Sequence, residues 1–137
     1  MDNKNNHLNI IQNVITRMGN NSFSLKGWAV LIIVAVYAFA GQSNAKAVIV
    51  TLMPIIVFWF IDTYYLMQER FYRMMYDEVR KKDDNEIDFD MNPQNLKINL
   101  SDIKKYNYFH ILFSKSEFPF YLVCIVTTLV IYFVPFN

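Results

Sequence analysis

Residues 47–82 read AVIVTLMPIIVFWFIDTYYLMQERFYRMMYDEVRKK, and the change of character midway along this stretch decides the fold. Residues 47–61 carry no charge and are apolar nearly all round. A helix on the surface of a soluble bundle needs a polar stripe on its outer face, and this one has none. From Asp62 to Lys82 there is no Gly or Pro, and Leu, Met, Gln, Glu and Arg abound, so the helix is expected to continue past the apolar block. Opposite charges four apart support it: Glu69 with Arg73, Arg73 with Asp77, Asp77 with Lys81 and Glu78 with Lys82. A stripe of Val57, Phe60, Tyr64, Met67, Phe71 and Met74 alternates spacings of three and four and passes from the apolar half into the charged half. Outside a bilayer such a stripe needs a partner, either the N-terminal helix of the same chain or a second copy.

Two further apolar blocks flank this stretch, at residues 27–40 (GWAVLIIVAVYAFA) and 118–136 (FPFYLVCIVTTLVIYFVPF), again without internal charge. The last approaches the ~20 residues that span a bilayer. The first two each cover roughly 22 Å and span only if their flanks, residues 23–26 and 62–67, are drawn in. Trp28 and Trp59 near the block ends, with Tyr64 and Tyr65 just beyond, fit an interfacial aromatic belt. Ala38-Phe39-Ala40 matches a signal-peptide cleavage pattern, but a long helical region precedes the run, so the block reads as a retained helix. Lys4, Arg17 and Lys26 precede the first block, Lys46 alone lies between the first two, and Arg70, Arg73, Arg80, Lys81 and Lys82 follow the second. The positive-inside rule then puts the N-terminus and the middle segment inside, and the short link and Asn137 outside. The expected fold is an all-α membrane protein: three transmembrane helices, a long cytosolic extension of the second, and amphipathic interfacial helices. The corresponding divisions are an N-terminal amphipathic segment (1–22), a transmembrane hairpin (23–67), a cytosolic helix, acidic linker and interfacial helix (68–117), and a third transmembrane helix (118–137).

Outside the blocks, residues 1–6 read as disordered. Leu8, Ile11, Ile15 and Met18 mark an amphipathic helix for which Gly19 is the expected C-cap. Residues 83–100 read as a solvated linker. Its Asp84, Glu86, Asp88 and Asp90 lack the ordered spacing and central Gly of a calcium-binding loop. Ser101 is the expected cap of an interfacial helix carrying Ile103, Tyr106, Phe109, His110 and Phe113, which turns at Pro119 into the last span.

Function is less legible. One Cys among 137 residues excludes a disulfide framework and a Cys-rich zinc site, and a net charge of +1 argues against direct nucleic-acid binding. There is no nucleotide-binding loop, HExxH, GxSxG or CxxC. His7 is expected in a mobile tail and His110 on the interfacial helix, neither with partners at metal spacing. Cys124 reads as a packing residue within the last span. No catalytic, cofactor or metal site is therefore expected, and no enzyme activity. A transporter needs ionisable groups inside its spans, and only Asp62 comes close. In a hairpin turning near Ser43 and Asn44, Asp62 falls level with Lys26, and Trp59 with Trp28. Two opposite charges at one depth predict a structural ion pair of Lys26 with Asp62, in preference to a proton relay.

Residues 58–66 (FWFIDTYYL), 68–73 (QERFYR), 112–115 (LFSK) and 119–121 (PFY) resemble a set of small bacterial membrane proteins over residues 20–137. More loosely, over the hairpin and its extension, the chain resembles membrane proteins that accompany antiviral systems: SLATT-type two-span effectors and membrane accessories of CRISPR and RADAR systems. The resemblance implies an oligomer in the bacterial inner membrane that permeabilises it when a cytosolic sensor protein is triggered, as in abortive infection. No nucleotide-sensing domain accompanies it in this chain. With the stripe, it leads to the expectation of a homo-oligomeric pore or gate in the lipid bilayer, joined through Phe60, Tyr64, Met67, Phe71 and Met74. The alternative is a non-catalytic anchor or scaffold whose residues 68–117 recruit a cytosolic partner.

Overall fold

The computed structural model describes residues 2–43, 45–95 and 107–133, and the regular structure among them is entirely helical. Helix α1 spans Asp2–Ser43, 42 residues. A 3-10 segment, Ala45–Thr51, leads into α2, Leu52–Lys81, of 30 residues. Single 3-10 turns follow at Asp84–Glu86 and Pro93–Asn95. A short α3, Tyr108–Leu112, precedes α4, Phe118–Phe133, of 16 residues. The 3-10 start of the second apolar block has a local cause. Pro54 has no N–H to donate to a carbonyl one turn back, so it is accommodated in the first turn of α2, while the Thr51 hydroxyl bonds the Val48 carbonyl at 2.7 Å.

α1 and α2 form an antiparallel hairpin with two cores. In the stalk formed by the N-terminal half of α1 and the C-terminal half of α2, Ile11 and Ile15 pack on Met75 and Val79. In the apolar half, Ile33, Ile55 and Tyr121 form the second core, with Tyr37, Leu52, Trp59 and Ile125 against it. α4 thus completes a three-helix unit at the apolar end only. Many large apolar side chains of that end point outward, among them Trp28, Leu31, Phe39, Val50, Met53, Val123 and Phe133. An exposed apolar surface of this extent marks a surface that meets lipid or protein.

Several expectations change. α1 does not stop at Gly19 but runs through it, because Gly19 faces Glu69 across the hairpin and the packed stalk holds the helix: a Cβ there would lie 3.5 Å from Glu69 Oε2. Residues 2–6 are helical, and Lys4 Nζ donates to the Lys82 carbonyl at 2.6 Å, a cation placed at the carbonyl end of α2. His7 is 1% exposed and packs its ring against that of Phe89 at a centroid distance of 5.2 Å. The charge ladder of α2 keeps Glu69–Arg73, but Asp77 meets Arg80 and Glu78 meets Lys81, both three apart, while Lys82 reaches Asp88. Spacings of three and four are both neighbours on an exposed helix face, so such exchanges cost little.

The acidic segment is also more ordered than a solvated linker. Asp83 and Glu86 form a reciprocal capping box, and Ile87 and Met91 pack on the stalk core. Phe89 takes a positive φ of 54°, which turns the chain back over α1. The backbone N–H of Asp90 and the Lys82 ammonium hold the Asp88 carboxyl below the usual carboxylate range, and the Asn95 side chain and the Asn92 N–H do the same for Asp90. These carboxylates are satisfied by the chain itself. α3 takes its cap from Asn107, whose side chain accepts from the Phe109 N–H at 3.2 Å; Ser101, Ile103 and Tyr106 lie outside the described residues.

Among the described residues, two helices, over Asn3–Phe39 and Ala47–Lys81, are long and apolar enough to cross a membrane. The 16 residues of α4 extend about 24 Å, short of a hydrocarbon core of about 30 Å.

Candidate functional site: a buried charge cluster

Where the apolar half of the hairpin meets the stalk, three segments each contribute one charged side chain. Lys26 stands immediately before the uncharged run of α1, and Asp62 immediately after that of α2. The antiparallel pairing that sets Gly19 beside Glu69 brings them together, with Lys26 Nζ 2.5 Å from Asp62 Oδ2. The third is Glu117, in the turn before α4, whose Oε1 lies 2.9 Å from the same Nζ. Ser22, one turn before Lys26, accepts from Nζ at 3.1 Å. Tyr121, one turn into α4, donates its hydroxyl to Asp62 Oδ2 at 2.8 Å. The side chains of Asp62 and Glu117 are 0% and 1% exposed, against 21% for Lys26.

Aromatic rings fix the surroundings. Trp59 stacks on Tyr121 with centroids 5.7 Å apart and planes 15° from parallel, and meets Phe113 edge-on at 5.9 Å. Its indole N–H donates to the Leu112 carbonyl at 3.2 Å. Trp59 therefore ties α2 to both α3 and α4, and it orients the tyrosine that serves Asp62. The backbone of the turn is ordered too: Phe118 N–H donates to the Ser114 carbonyl, and Tyr121 N–H to that of Glu117. Glu117 thus opens α4 and places a carboxyl group at the positive end of its dipole.

The charges do not cancel, since one ammonium faces two carboxyl groups. Burial first, and then the adjoining Asp62 carboxylate, push the Glu117 carboxyl up to about 7, against the opposing pull of Lys26. Asp62 Oδ1 and Glu117 Oε2 are buried without a hydrogen-bond partner. Deeper in the apolar half, Thr128 joins Tyr37, at 2.6 Å, and Thr51, at 3.2 Å. This hydroxyl cluster ties α4 to α1 and to the 3-10 segment.

The stripe residues are unevenly covered along α2. Phe60 and Tyr64 are exposed, and Met67, Phe71 and Met74 are half-buried. The core positions Met75 and Val79 adjoin the stripe but are not part of it. Phe60 stacks on Tyr108 of α3, whose hydroxyl donates to the Phe60 carbonyl. Among the described residues, no group of three or more His, Cys, Asp and Glu is arranged to hold a metal ion.

Glu117, Tyr121 and Ser22 are the cluster residues that the sequence did not point to. The one hint for Glu117 is a carboxylate directly before an apolar block; that it enters at the level of Lys26 and Asp62 is seen only in the fold. The chain matches no protein-family model, no curated protein and no solved structure.

Proposed function

We propose that the protein is a three-span protein of the bacterial inner membrane, N-terminus inside and C-terminus outside, that acts without catalysis as an oligomer forming or gating a pore. The observation that carries this reading is the apolar surface left exposed on α2 and around the three-helix unit. α2 packs on α1 through Met75 and Val79. Of the stripe of Phe60, Tyr64, Met67, Phe71 and Met74, Phe60 is 46% and Tyr64 50% exposed, and the other three are half-buried. In this reading a second copy covers the stripe. The interior of the three-helix unit is filled by Ile33, Ile55 and Tyr121, so a water-filled path would lie between subunits. Selectivity by rings of charge is not expected, because the apolar segments offer only hydroxyls and one thiol at depth. A role in antiviral defence, with a cytosolic sensor as trigger, rests on the resemblance alone.

The test combines mass and membrane potential. Purified protein in detergent should be larger than a monomer, and Met67→Glu with Met74→Glu should reduce it to one while helical content persists. Overproduction should depolarise cells, as read by a potential-sensitive dye, and the double variant should not. Growth arrest with the potential intact would overturn the pore reading. It would favour the second reading, an anchor for a cytosolic partner.

A further inference from the structure

The imbalance at the charge cluster has a chemical remedy. Fully ionised, Lys26, Asp62 and Glu117 leave one negative charge out of water, a state that proteins avoid by pairing or by taking up a proton. Lys26 and Tyr121 serve Asp62 Oδ2, and Lys26 serves Glu117 Oε1, whereas Asp62 Oδ1 and Glu117 Oε2 face no donor. One proton would supply the missing donor and cancel the excess charge together. Glu117 is the better seat for it, since it accepts one hydrogen bond while Asp62 accepts two. The groups that face the site are Ser22 and Lys26 from α1, Asp62 from α2 and Tyr121 from α4. The charged ones bearing on Glu117 are Asp62 and Lys26.

We propose that Glu117 holds one proton beside Asp62 and Lys26, and that its occupancy couples the docking of α4 onto the α1–α2 hairpin to pH. The proton comes from water by way of the partly exposed Lys26 side, forms an O–H bond on Glu117, and returns to water when lost. No electrons move. This inference goes beyond the pore reading and does not depend on it.

The direction of the pH effect follows from linkage. Burial and the adjoining Asp62 push the Glu117 carboxyl from an ordinary value of 4.5 up to about 7 in the folded chain. Between those values the folded protein holds a proton that the unfolded chain has released. Its contribution therefore favours folding most at the acid end, declines as pH rises toward 7, and changes no further above it.

The full chain in lipid nanodiscs would be studied by infrared difference spectroscopy between about pH 5 and about pH 8, with thermal unfolding over the same range. The expected spectrum has a buried carboxylic-acid C=O band at the acid end that is lost with a midpoint near 7. Glu117→Gln should lack that band, unfold with a flatter pH dependence than wild type, and outlast it at the alkaline end. Should Glu117→Gln fail to fold, the wild-type spectrum decides alone. Three results would overturn the proposal: no acid band at the acid end, the same band persisting in Glu117→Gln, or alkaline stability that rises with sodium chloride but not with choline chloride. The last would mean that a small cation, not a proton, occupies the place.

Discussion

Lys26 donates to Ser22, Asp62 and Glu117, so its removal strands two buried carboxyl groups. Breaking a buried ion pair from one side leaves an uncompensated charge, and Lys26→Met should destabilise the protein by about 3 kcal/mol in unfolding by denaturing detergent. Adding Asp62→Asn to Lys26→Met should recover part of that loss, because the remaining carboxyl can then be neutral. An additive double variant would mean that the cluster is not one unit. Tyr121→Phe removes only one of two donors to Asp62, and should cost about 1–2 kcal/mol. The proximity of Lys26 and Asp62 was legible in the sequence because hairpin pairing is arithmetic once the turn is located. Glu117 was not, because its place depends on how the segment from Asp83 to α4 returns to the hairpin, and acidic segments leave no periodic signal. His7, expected in a mobile tail, is buried for a related reason: Phe89 packs on it from that same segment.

Among the elements, α1 shows how local signals yield to packing. Gly19, with Asn20 and Asn21 after it, reads as a stop, yet the helix continues to Ser43. Glycine in a helix interior costs about 1 kcal/mol relative to alanine, which the α1–α2 contact over the whole stalk outweighs. Gly19→Ala should therefore raise stability by about 1 kcal/mol, since the new methyl meets Glu69 Oε2 at an ordinary contact distance of 3.5 Å. A loss would indicate that Glu69 cannot accommodate it. Ile11 is fully buried in a cluster with Ile15, Met75 and Val79, and Ile11→Ala should cost about 3 kcal/mol through the cavity it leaves. An effect near zero would mean that the stalk does not hold α1 and α2 together. The extent of α2 to Lys81 was legible because no Gly or Pro interrupts the run after Asp62. Its 3-10 entry depends on the position of Pro54 within the first turn, a detail that an apolar run does not reveal.

At the scale of the whole molecule, the apolar segments at 27–40, 47–61 and 118–133 have nearly one length, about 21–24 Å as helices, and all begin or end at the level of the charge cluster. In a bilayer, a protein with so short an apolar span should be most stable where the hydrocarbon core is thin. Its unfolding midpoint in phosphatidylcholine vesicles should fall as acyl chains lengthen, and the opposite trend would mean that flanking residues such as Phe23 and Tyr65 are drawn into the core. The three-helix character of the apolar half was legible in composition alone, since each block lacks charge. The block 118–136 reads as nearly a full span, and the described helix covers 16 of its residues, Phe118–Phe133. The direct measurement is labelling of single cysteines by an impermeant reagent on intact cells, at Ser43, Asn85 and Asn137 in a Cys124→Ser background. Three spans with the N-terminus inside predict labelling at positions 43 and 137 and protection at 85; protection at 137 together with 85, or labelling at 85, would contradict the account.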